Sequence, residues 1–217
     1  MALPSREFFM RDALEVAPNL LNSVISSRVD GELVSVRITE VEAYHGLGTG
    51  DIHDGGSHAR MGKTDRNASM FGEPGHLYVY LIYGIYSNIN VVCSPAGRAS
   101  GVLLRAGQVI AGREIALSRR ERSKHPSDLA SGPARLAMSL GLERRIHDGV
   151  DLLQESDTAN ATASIELPTT FLTADSTDVS SGPRVGVSGE AGTTLFPWRF
   201  WLTGDPTVSK YRPGRNV

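Results

Sequence analysis

The clearest alternation of apolar and polar positions lies early in the chain, after a turn at Asp30-Gly31. There Gly31–Tyr44 reads as a strand. Val34, Val36, Ile38, Glu40 and Glu42 share one face of it if no bulge intervenes, so an apolar face ends in two carboxylates. Leu77–Tyr83 and Tyr86–Cys93 are two further runs dense in Tyr, Val and Ile. Only Gly84 and Ile85 separate them, which predicts a long β-hairpin with Gly84 in its turn. Gly101–Ala106 predicts a fourth strand and Val109–Arg122 a helix after it. Pro133 and Gly141 frame another helix, with proline at the first helical position and glycine just past the end. The Ser-, Thr-, Asp- and Ala-rich segment Ser156–Ser181 is expected as a surface insertion or long loop. Arg184–Val187 and Trp198–Thr203 are expected as closing strands, and residues 1–18 and 209–217 as loose ends. This order predicts an α+β fold in a single mixed domain over residues 1–217, with a curved antiparallel sheet, surrounding helices and a protruding hairpin.

Composition narrows the class. With 217 residues, 40% apolar and 21% charged, the chain has the balance of a soluble globular protein. No window of about 18 apolar residues exists to span a membrane. Met1 to Glu7 lacks the apolar core of a secretory leader, so a soluble cytoplasmic protein is expected, as a monomer. The lone Cys93 makes neither an internal disulfide nor a cysteine zinc cluster.

A net charge of −2 argues mildly against nucleic acid, but the average hides an asymmetry. Arg98 to His125 holds seven Lys/Arg against two Glu, whereas Asp148 to Glu190 holds eight Asp/Glu against one Arg. A basic stretch in an acidic chain is either one face for a polyanion or the solvated surface of a helix, because local field steers a polyanion more than total charge does.

Three groups of residues could carry chemistry. Glu40 and Glu42 either perform it or pair with arginines at the edge of the core, since buried carboxylates need partners. Tyr44, His45, His53 and His58 follow in a Gly-rich stretch with Asp51 and Asp54. They could ligate a metal, donate to a base or simply lie at the surface, although His53 and His58 match neither a helical pair nor a zinc finger. In the hairpin, Tyr78 and Tyr80 share a face and Tyr83 stands at the tip. An aromatic there is wasted unless it inserts into something, as the wedges of minor-groove binders do.

The runs Glu40-Val41-Glu42-Ala43-Tyr44, His58-Ala59-Arg60, Thr64-Asp65-Arg66-Asn67 and Pro74-Gly75-His76-Leu77-Tyr78-Val79-Tyr80-Leu81-Ile82-Tyr83-Gly84 resemble the alkyladenine (3-methyladenine) DNA glycosylase family. Asn88-Ile89-Asn90, Val102-Leu103-Leu104-Arg105-Ala106, Ser131-Gly132-Pro133 and Arg184-Val185-Gly186-Val187 extend the match in order, from about Asn19 to Asp205. One departure is Asp65, where the family usually has proline. The loss frees the loop and sets a negative charge beside Arg66.

The resemblance implies a base-flipping enzyme that hydrolyses the bond between a damaged purine and deoxyribose in double-stranded DNA. Tyr83 would fill the gap left by the flipped nucleotide. Tyr44 would stack on one face of the extruded base, with His58 and Tyr80 on the other, and Asn90 would border its minor-groove edge. Glu42 would activate water, helped by Arg105 and the Val185 carbonyl, while Thr64 and Arg66 would meet phosphate. Neither metal nor other cofactor is implied. With no lysine in the matched motifs, a Schiff-base lyase step is not expected. A metal-dependent hydrolase built on Glu40, Glu42, Asp51 and His58 is the enzyme alternative, and a catalytically silent nucleic-acid-binding module is the other.

Overall fold

The computed structural model describes residues 4–153 and 161–217. Its elements are helices α1 (Arg6–Phe9) and α2 (Ala13–Asn19), strands β1 (Val24–Val29) and β2 (Glu32–His45), and the hairpin β3 (Leu77–Ile82) and β4 (Tyr86–Val92). Then come β5 (Ser100–Ala111), α3 (Arg113–Arg119), β6 (Ala130–Ser131), α4 (Pro133–Leu140), α5 (Arg144–His147), β7 (Ala161–Glu166), β8 (Val179–Gly182) and β9 (Arg199–Leu202). The fold is α+β, as expected. The strands form one nine-stranded sheet, with β3-β4-β5-β2-β1-β7 in order and β6, β8 and β9 attached beside that path. Every pairing in it is antiparallel.

The core lies between this sheet and helices α2 and α4, where Val16, Leu20, Ile38, Leu104, Leu136 and Leu140 are fully buried. Helix α4 has the predicted frame, with Pro133 in its first turn and Gly141 in the left-handed region at its C-cap. The β2 strand is covered on both sides and bulged, with register shifts between Ser35 and Val36, Ile38 and Glu40, and Glu40 and Val41. Simple alternation therefore fails along it. Glu40 and Glu42 nevertheless meet the same guanidinium, that of Arg105 on β5.

Several expectations need correction. Strand β5 does not stop at Ala106 but pairs with β2 as far as Ala111, so the helix expected from Val109 begins only at Arg113. Gly112 makes that break: its φ is +71°, and a Cβ there would lie 2.2 Å from the Leu33 carbonyl oxygen. Part of the expected insertion Ser156–Ser181 lies outside the described residues, but β7 pairs with β1 and β8 with β9, so the remainder belongs partly to the sheet. Arg184–Val187 is not a strand. Pro183 removes a ladder donor after Gly182, and Gly186 turns the chain with φ +72°.

The described parts of the two ends, 4–18 and 209–217, are also tied down. Phe9, Val16 and Ala17 are fully buried, and the 209–217 tail runs beside the Val185–Gly189 turn. There the Gly186 and Gly189 amides donate to the Arg212 and Arg215 carbonyls.

Candidate active site

The hairpin tip is built around Tyr83. A three-residue loop joins β3 and β4, with φ +54° at Tyr83 and +69° at Gly84, and the Ile85 amide donates to the Ile82 carbonyl. Glycine suits such a turn, but a tyrosine in the left-handed region costs roughly 1–2 kcal/mol. Tyr83 is also 84% exposed, so the fold holds a large ring in a strained backbone position and leaves it in solvent. Strain of this kind gathers at functional sites.

Beside the tip opens a cavity of about 600 Å³, within the size range of ligand sites. Strand β2 supplies Glu42 and Tyr44, the hairpin supplies Tyr78, Tyr80, Asn88 and Asn90, and β5 supplies Arg105. Loops supply His58, Arg60, Val185 and Gly186. Of the sequence-derived candidates, Glu42, Tyr44, His58, Tyr80, Tyr83, Asn90, Arg105 and Val185 all meet there. Thr64 and Arg66 lie outside the cavity lining, on an exposed loop whose Arg66 Nη2 donates to the Leu81 carbonyl at 3.4 Å. That loop is tied down despite Asp65: Asn67 accepts from the Thr64 amide and donates to the carbonyls of His58 and Gly62.

The two carboxylates are now distinguishable. Glu40 accepts from Arg105 Nε, Arg199 Nε, the Ser209 amide and the Ser209 hydroxyl, all within 3.0 Å, and it does not line the cavity. Its role is to hold the core together. Glu42 lines the cavity and accepts from the Val185 amide at 2.7 Å and the Tyr44 hydroxyl at 2.8 Å, with Arg105 Nη1 at 3.4 Å. Residue 185 meets Glu42 through its backbone N–H. Burial works against the Arg105 charge, but Glu42 and Glu40 more than offset it and hold the guanidinium protonated.

The aromatic walls are neutral. Burial, reinforced by the nearby Glu42 charge, pushes the Tyr44 phenol well above its ordinary value, and burial raises Tyr80. His58 is shifted the other way, first by burial and then by Arg66 and Arg60. Its ring meets Tyr80 edge to face at a centroid distance of 4.4 Å, while Nδ1 lies 3.2 Å from the Tyr78 hydroxyl. The Asn88 amide nitrogen donates to the Tyr80 hydroxyl and the Asn90 amide nitrogen to the Tyr78 carbonyl, fixing both asparagines at the wall.

Among the described residues, no three His, Cys, Asp or Glu side chains gather to hold a metal ion, and Asp51 is exposed outside the cavity. No helix among them is long and apolar enough to cross a membrane.

The arrangement is a cavity walled by aromatic and polar side chains, with the buried, hydrogen-bonded carboxylate of Glu42 and the exposed ring of Tyr83 both in its lining. A profile of methylpurine-DNA glycosylases matches residues 7–206. The chain belongs to the methylpurine-DNA glycosylase family. A candidate 3-methyladenine DNA glycosylase of Streptomyces avermitilis is 47% identical over 96% of this chain and 91% of its own. One from Leifsonia xyli is 45% identical over 98% and 94%, and one from Methanocella arvoryzae is 38% identical over 99% of each. As a DNA glycosylase, the protein is a hydrolase of DNA repair.

Two further grooves, both bordered by Tyr86, carry clusters of charged residues. On the other side of the hairpin, a groove of about 720 Å³ is lined by Tyr86, Arg119, Arg120, Arg122 and Arg135. A larger, open one of about 1260 Å³ runs under Ile85 and Tyr86 past Arg144 and Arg145, without a buried carboxylate. The basic run from Arg98 was the available signal, and it falls partly here. Arg199 and Ser209 gave no local signal; Arg184 and Asp54 stand in stretches the sequence singled out, but nothing there pairs them.

Proposed function

We propose that this glycosylase extrudes a damaged purine into the aromatic cavity and hydrolyses its N-glycosidic bond with water activated by Glu42. The observation that carries this reading is Glu42 itself, a carboxylate hydrogen-bonded on both oxygens in the lining of that cavity. Tyr83 takes the place of the flipped nucleotide, offsetting the few kcal/mol that unstacking costs. Tyr44, His58 and Tyr80 stack on the base, and Asn90 meets the edge that separates hypoxanthine from guanine. Arg66 and Thr64, with the arginines beside Tyr86, hold phosphates.

In the reaction, the water oxygen bonds to C1′ as the C1′–N bond breaks. The bonding pair leaves with the base, the water proton passes to Glu42, and an abasic site remains. Ionised Glu42 also stabilises the cationic character that develops on the sugar. The names of the relatives support 3-methyladenine as a substrate; its glycosidic nitrogen leaves from an already cationic ring and needs little acid assistance. Neutral hypoxanthine needs protonation as it leaves. The cavity lining includes no lysine for a Schiff base, which supports a single displacement without strand cleavage.

The test uses duplex oligonucleotides carrying one defined lesion each, with EDTA present. Base release with strand scission only after alkali is the expected result. Abolition by EDTA would return the metal-hydrolase reading, and scission without alkali would refute the single displacement.

A further inference from the structure

Arg184 is fully buried and forms a two-pronged ion pair with Asp54, at 2.8 and 2.6 Å. The partners are 130 positions apart in the chain, and Tyr44 is one of several groups they hold: Arg184 Nη2 also donates to the Ala191 carbonyl at 3.0 Å, and its guanidinium carbon lies 5.1 Å from the Trp198 ring centroid and 5.8 Å from that of Phe196. Arg184 Nη1 donates to the carbonyl of Ala43 at 3.0 Å, and Asp54 accepts from the amide of His45 at 3.1 Å, so the pair grips the backbone on both sides of Tyr44. The guanidinium carbon also lies 4.4 Å from the centroid of the Tyr44 ring, covering one face and leaving the other for the cavity that Tyr44 lines. The next residue, Val185, donates its amide to Glu42. Asp54 further accepts from the Gly56 amide, and a Cβ on Gly56 would come within 2.9 Å of Arg184 Nη2, so the cavity wall closes directly over the pair.

We propose that Arg184, clasped by Asp54, is a positioning residue that sets the plane of Tyr44 and, through the Tyr44 hydroxyl that donates to Glu42, the orientation of that carboxylate. The base platform and the water-activating carboxylate are thereby held as one unit. This rests on the reading of Tyr44 as the platform for the extruded base. Of the three aromatic rings near the guanidinium, Tyr44 is the nearest, and the pair hydrogen-bonds to the backbone of the residues on both sides of it. Orientation matters to rate because a misplacement of about 1 Å in a reacting group can cost about 100-fold.

The experiment is a double-mutant cycle read by single-turnover excision of one lesion at saturating enzyme, well below the lowest thermal midpoint of the set. Arg184→Lys keeps the charge but loses the fork, and excision should slow by about 10- to 100-fold. Asp54→Asn should slow it similarly by unpinning the guanidinium. In a Tyr44→Leu background, each change should cost less than about threefold, because the group being positioned is gone. Costs that persist undiminished in that background overturn the positioning role while leaving the platform reading intact. Parental excision by Tyr44→Leu alone overturns the platform reading and this proposal with it. Outright unfolding of both Arg184→Lys and Asp54→Asn would assign the pair to the fold alone and likewise end the proposal.

Discussion

Replacing Glu42 and Glu40 one at a time by glutamine should separate catalysis from stability. Glu42→Gln keeps the side-chain volume. Its carbonyl oxygen can still accept from the Val185 amide, and the Tyr44 hydroxyl can rotate to accept from the new NH₂ group. Only Arg105 then faces a donor, and from 3.4 Å, while Glu40 remains to pair with it. The cost in stability is about 1–2 kcal/mol, the scale of one impaired buried hydrogen bond. Excision should nevertheless fall by at least about 10²–10⁴-fold, the usual contribution of a general base, with lesion binding retained.

Glu40→Gln reverses the pattern. Two buried guanidinium groups and two Ser209 donors converge on that carboxylate. Removing its charge leaves Arg199 without an anionic partner, at a cost of about 3–5 kcal/mol. For a chain of this size that lowers the thermal midpoint by about 6–20 °C. Thermal unfolding and single-turnover excision at a temperature where both variants are folded give the two readouts. A Glu42→Gln enzyme within tenfold of the parent, or a Glu40→Gln protein as stable as the parent but inactive, would refute the assignment.

Tyr83→Ser should weaken lesion binding by about 10- to 100-fold with no loss of thermal stability, since it removes an exposed ring from a strained position; a drop in stability comparable to a core truncation would make Tyr83 structural. Arg66→Ala and Arg135→Ala should each reduce the slope of log affinity against log salt by about one, and an unchanged slope would remove that residue from the phosphate contacts. By NMR titration the His58 ring should change protonation below the ordinary value of about 6.5, because burial and the two nearby arginines disfavour its charge. With the folded value depressed, the stability linked to His58 is present above the unfolded value and is lost as pH falls through the folded one; a midpoint at or above the ordinary value contradicts this. Asn90→Ser should raise guanine excision relative to hypoxanthine by about 5- to 200-fold, whereas an unchanged ratio in a folded, DNA-binding protein would leave Asn90 with only its bond to the Tyr78 carbonyl.

What could be read in advance was local. The hairpin declared itself through dense β-branched and aromatic runs, and helix α4 through Pro133 and Gly141, because each signal lies within a few residues of its effect. The boundary between β5 and α3 was misread because Val109, Ile110 and Ala111 suit either state, and pairing with β2 decides. The irregular register of β2 could not be anticipated either, since bulges depend on the partner strand. The resemblance named the chemistry of Glu42 and Tyr44 but not what holds them. Arg184 and Asp54, like Glu40 and Ser209, are made neighbours only by tertiary structure. The local sequence singles out Glu40, Asp54 and Arg184, but nothing around them says which partner each will meet.

The Ser209 amide donates to Glu40 across 169 positions of sequence, and Val185 donates to Glu42 across 143. Strand β2 therefore emerges from a ribosome long before the groups that neutralise and orient its carboxylates. Until they arrive, the acids at the end of β2 have Arg105 and Tyr44 but lack the Val185 and Ser209 donors, and water must take those places. Closing such long loops precedes any reward from the contacts made, which slows folding. The order of synthesis thus acts as a timer: the hairpin can form early, but the carboxylates of β2 are fully partnered only once residue 209 has emerged.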